Sequence, residues 1–228
     1  MPGNALFRRL GIERPSVIER AADAADSGMW LALRVDSRVE TGQLATLLER
    51  WEEAGLASIT DVVIPRTFVQ GHARPGDGFE WFTEMTKLAH VSGLHPLVPA
   101  AAKGAERFCQ ETSTSVVGLD ETTPPDFADP CFGARAEREK SFVRCAKALL
   151  AGVAQSRIGR VSLWTSTPRV VAACRGAARA AGVNPGDRYD VCVPETQGAL
   201  AANLIREGES VRMWFAIDPA AIERAVGR

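Results

Sequence analysis

Short apolar runs recur along this chain, and several of them end in polar residues. Leu31 to Val35 runs into Asp36 and Ser37, and Ile59 to Pro65 runs into Arg66 and Thr67. Ser115 to Leu119 ends in Asp120 and Glu121, Val161 to Trp164 in Thr165, Tyr189 to Pro194 in Glu195, and Val211 to Ile217 in Asp218. Runs of this length bounded by turn residues read as buried strands. Leu94 to Pro99 is a further short strand, weakened by two prolines.

Helical spacing fills most of the intervals. Pro15 opens a helix with Val17, Ile18, Ala21, Ala22 and Ala25 on one face and Gly28 after its end. Leu44, Leu47, Leu48 and Trp51 keep the period up to Gly55, and Phe79, Phe82, Met85 and Leu88 keep it up to Gly93. Ala100 to Gln110 is helix-like, Ala134 to Gln155 is a long helix, and Pro168 opens a helix that closes at Gly182. Ala199 to Ile205 and the stretch after Asp218-Pro219 complete the set.

Strands alternating with helices predict an α/β fold with a parallel sheet and right-handed crossovers. The pattern predicts a (β/α) barrel of about seven or eight parallel strands with a leading helix; an additional strand would fall near Ala5 to Leu10. An open doubly wound parallel sheet is the alternative, and the even spacing favours the barrel. With no linker or internal repeat, residues 1–228 read as a single α/β domain.

The composition is ordinary for a globular protein, and it narrows the partners. A formal net charge of −1 over 228 residues gives no electrostatic footprint for nucleic acid or an anionic membrane. The five cysteines include no C-x-x-C pair, so buried, reduced thiols in a cytoplasmic protein are expected. No signal-peptide-like or membrane-spanning run occurs. Nothing in these numbers sets the oligomeric state, and a homo-oligomer stays open.

In α/β folds ligands gather beyond the carboxyl ends of the strands, so the polar residues there are the candidate site. Asp36, Asp120 and Glu121 are candidate acid–base groups, because such chemistry needs carboxylates in differing environments. Asp120 and Glu121 also suit a divalent ion such as Mg or Mn, which takes hard oxygen ligands. Lys103 is a candidate amine nucleophile, with a solvated helix lysine as its plainer role. Arg34 and Arg66 suit a carboxylate or phosphate, or an ion network with Asp36 or Asp120. His95, Thr165 and Glu195 complete the candidate substrate-binding set, and Asp218 reads as a helix cap. No G-x-G-x-x-G after a strand, no Walker loop and no G-x-S-x-G elbow occurs, so no nucleotide cofactor is expected.

Leu33-Arg-Val-Asp36, Val62-Val-Ile-Pro65 and Ile217-Asp-Pro-Ala-Ala-Ile222 resemble stretches of the citrate-lyase-like and pyruvate-aldolase barrel family. Similar runs there read V-R-[IV]-N, [IV]-x-L-P-K and [AI]-I-H-P-x-Q-I. The resemblance covers under a quarter of the chain, in short pieces, and falls short of membership. It implies a barrel and carbon–carbon lyase chemistry. That family's metal-binding Glu has no counterpart near Ala100 to Lys103.

Together these features lead us to expect an enzyme acting on a small anionic metabolite by lyase, aldolase or isomerase chemistry. The alternative is a non-catalytic binding or assembly protein on an enzyme-like scaffold, with Trp51, Trp81 and Phe82 facing a partner.

Overall fold

A computed structural model describes residues 15–36, 39–65, 94–121, 131–186 and 188–226. The strand expected near Ala5, the helix expected from Phe79 to Gly93, and the side chains of Arg66, Trp81 and Phe82 lie outside the described residues.

Among the described residues, seven parallel strands close into a barrel: β1 (Trp30–Val35), β2 (Thr60–Pro65), β3 (Leu94–Pro99), β4 (Thr114–Asp120), β5 (Ile158–Trp164), β6 (Tyr189–Pro194) and β7 (Val211–Ile217). Each strand pairs with the next in sequence, and β7 pairs with β1 through six register positions from Trp30–Arg212 to Val35–Ile217. The open-sheet alternative is thereby set aside. Followed once round the barrel, the paired registers shift by about 8 residues, the shear of eight-stranded barrels. Interior width grows with strand number, so seven strands enclose a narrower core.

The described helices are α1 (Val17–Asp26), α2 (Thr41–Glu53), α3 (Ala105–Glu111), α4 (Arg135–Ala154), α5 (Pro168–Ala180), α6 (Gly198–Arg206) and α7 (Pro219–Val226). Strand alternation divides the apolar residues between two cores. Leu31, Leu33, Val117, Leu119, Val161, Leu163, Val191 and Phe215 face outward and pack with the helices. Ala32, Val63, Leu97, Trp164, Cys192 and Trp214 form a second, smaller cluster inside the barrel.

Trp51 belongs to the outer core, contrary to the partner-facing role considered for it. It is fully buried, meets the Phe215 ring edge-on at 6.3 Å, and donates its indole N–H to Thr60 Oγ1 at 2.8 Å. Four cysteines are buried, as expected, whereas Cys131 is half-exposed. The helix expected from Ala100 starts later, at Ala105. Ala100 to Ala102 are buried because their backbone ties strand ends together. Ala100 N–H donates to Asp120 O, Phe132 N–H donates to Ala101 O, and Ser141 Oγ donates to Ala100 O. No described helix is long and apolar enough to cross a membrane.

Candidate functional site at the carboxyl end of the barrel

Arg34 is the charged residue inside an otherwise apolar strand, and the barrel turns it inward beside Ala32. A guanidinium there needs a partner. It finds Asp120, the last residue of β4, with Arg34 Nη2 2.9 Å from Asp120 Oδ2. The two side chains are 16% and 4% exposed. Arg34 also lies 5.6 Å from the centre of the Trp214 ring, in cation–π range. Trp214 in turn meets Trp164 at 5.7 Å. Trp164 and Asp120 are register partners on adjacent strands, so both point inward at one level. The mouth therefore holds an ion pair against an indole floor.

Glu121 is the next residue after Asp120, and it is turned toward the start of α5. There it accepts hydrogen bonds from Thr165 Oγ1 and, at 2.8 Å, from Thr167 Oγ1. The backbone N–H of Thr167 donates to Thr165 Oγ1 at 3.2 Å. A helix N-terminus favours a negative charge. Here the chain supplies its own, and Thr167 occupies the N-cap position without capping by its own side chain.

The remaining sequence candidates are distributed differently. Asp36 is half-buried just beyond β1, its backbone N–H donating to Ile217 O at 2.8 Å. Glu195 accepts from Arg20 of α1 at 2.6 and 3.2 Å, a two-point clamp between helix and barrel. Lys103 is exposed in the turn before α3. Asp218 caps α7 by accepting from Ala221 N–H at 2.6 Å. His95 occupies β3 opposite Val63. Arg66 falls outside the described residues. Among the described residues no group of three or more His, Cys, Asp or Glu side chains gathers to hold a metal ion.

Two features of the interior are not evident from the strand-end pattern. The first is an ionic plug at the amino end of the barrel. Arg212 approaches Asp61 at 3.1 Å and Asp190 at 3.3 Å, and Arg160 pairs with both aspartates from the other side. Burial opposes the charge of Arg212, yet Asp190 and Asp61 outweigh it and hold its pKa above the ordinary arginine value. Burial likewise pushes the neighbouring Cys192 thiol well above its usual range, with Asp190 adding to the effect. The signal lay in the polar second or third residue of β2, β5, β6 and β7.

The second feature is a set of buried side-chain donors without a hydrogen-bond partner, two of them neutral. The indole Nε1 of Trp164 and the hydroxyl of Ser162, two residues below it on β5, are buried without a hydrogen-bond partner among the described residues. An unmade bond of this kind costs about 1–3 kcal/mol.

No known family profile matches the chain, and no curated protein matches it. Solved structures do. Proline utilization A from Bdellovibrio bacteriovorus is similar with a TM-score of 0.55 and 15% identity, over 82% of this chain and 21% of that one. The D779W mutant of the Bradyrhizobium japonicum protein of the same name gives a TM-score of 0.52 and 16% identity, over 92% of this chain and 22% of that one. The chain thus spans about a fifth of the length of these proteins, and at this identity the likeness is one of fold. It places the chain among α/β barrels.

Proposed function

We propose that this barrel is an enzyme acting on a small anionic metabolite, by carbon–carbon lyase, aldolase or isomerase chemistry. The observation that carries the reading is the Arg34–Asp120 pair, set against Trp214 at the end of the barrel where such folds work. In the proposed mechanism the ligand's anionic group competes with Asp120 for the Arg34 guanidinium, whose planar fork matches a carboxylate or phosphate. Asp120 is then released beside the ligand, where it accepts or returns a proton. Glu121 holds the start of α5 and so keeps Thr165 and the β4 end in place.

The test is calorimetric binding of a panel of small carboxylates and phosphate esters, proline included, followed by turnover assays on those that bind. Folded Arg34→Ala is expected to lose roughly 10- to 100-fold in affinity, the worth of a charge-assisted hydrogen bond. Asp120→Asn is expected to bind and not turn over. Folded Arg34→Ala that binds every panel member as well as the parent overturns the reading.

A second reading is a binding protein without catalysis. It is favoured by Glu121, both of whose oxygens are committed to threonine hydroxyls, which removes one of the three candidate carboxylates from acid–base work. Tight binding with no turnover under any divalent ion selects it.

A further inference from the structure

The lone indole donor inside the barrel says something about the ligand's second functional group. Trp164 is 2% exposed and sits level with Asp120, within 5.7 Å of the Trp214 ring that Arg34 covers. Its surroundings are apolar: Ala32, Val63, Leu97 and Cys192 share its cluster. Buried donors in folded proteins are normally satisfied. The same strand carries a second unsatisfied neutral donor, the hydroxyl of Ser162, fully buried and facing the same way. Two neutral donors in one column, beneath an anion-binding arginine, match a ligand with two different ends.

We propose that the mouth takes a small carboxylate that also bears a neutral oxygen acceptor, a carbonyl or hydroxyl, and that Trp164 Nε1–H donates to that oxygen. This rests on the anion-binding reading above. Arg34 meets the charged end. Trp164 meets the neutral one, because an uncharged N–H in an apolar wall discriminates against a second full charge and for a dipole. Trp164 thus sets specificity by binding and does no chemistry of its own.

The probes are propionate, lactate and pyruvate, which share a three-carbon carboxylate and differ in the second oxygen. Their affinities are measured calorimetrically for the full chain and for Trp164→Phe. Lactate or pyruvate is expected to bind roughly tenfold tighter than propionate, the usual worth of one buried hydrogen bond. Trp164→Phe is expected to erase that difference and leave propionate unchanged. A second measurement covers a variant that does not fold. In protein with 15N-labelled tryptophan, assigned by replacing the other tryptophans, the Trp164 indole proton is expected to move downfield with lactate or pyruvate and stay put with propionate.

Equal binding of all three probes, a preference that survives in Trp164→Phe, or an indole signal indifferent to every probe overturns the proposal. Binding of none of the three, with Arg34→Ala equally inert, overturns the anion-binding reading itself and the proposal with it.

Discussion

Asp61 carries as much of the structure as any apolar core residue. It is 2% exposed, accepts a hydrogen bond from Arg160 and forms an ion pair with Arg212. Taking one partner from a buried ionic cluster strands the others, which costs more than the cluster contributes while intact. Asp61→Ala is therefore expected to lower the unfolding free energy by about 3–5 kcal/mol, read from urea midpoints at constant m-value. Its effect on ligand affinity should be small, because the quartet lies at the end of the barrel away from Arg34. Arg34 itself was legible in the sequence as a charge misplaced in an apolar strand, and one of the two partners considered for it, Asp120, is the one it meets. The plug was not singled out. Asp61, Arg160, Asp190 and Arg212 each look like a single polar interruption, and they belong to strands far apart in the chain. Only closure of the barrel brings them together.

At the level of elements, strand ends and helix starts are coupled through side chains. Glu121 leaves β4 and receives two hydroxyls at the start of α5. Glu121→Gln keeps the shape and removes the charge that the helix N-terminus favours. It is expected to lose about 1 kcal/mol of stability, with probe affinities unchanged. A loss of affinity without loss of stability would instead place Glu121 in the ligand site. The sequence predicted the described strands because their apolar runs are bounded by glycine, proline and acidic residues. Val211 to Ile217 agrees end to end, and Ile158 to Trp164 extends three residues earlier than its apolar run suggests. The stretch from Ala100 misled for a physical reason. Its alanines have helix-forming side chains, but their backbone groups are taken by Asp120 and Phe132, and the helix waits until after Gly104.

For the molecule as a whole, the buried acids that stay protonated set an alkaline limit. Burial raises the Cys174 thiol from its usual 9.0 to about 12, and burial together with Glu209 raises the Tyr189 phenol. In the unfolded chain these groups release protons at lower pH than in the fold. Above about pH 9 the folded state therefore binds more protons, and stability falls as pH rises. Their contribution is complete below the unfolded values and is lost progressively towards the folded ones. Urea unfolding from pH 7 to 10.5 is expected to show a flat region and then a decline, and Cys174→Ala to make the decline shallower. A stability that rises over that range contradicts the burial of these groups.

The ionic quartet also bears on how a ligand at the proposed site would come and go. With the amino end of the barrel stoppered by charge, a molecule bound at Arg34 as proposed would enter and leave through the carboxyl end. The departing molecule would then vacate before its successor arrives. On the proposed reading, compounds resembling either the incoming or the outgoing species are expected to compete with each other, which displacement of a bound probe checks.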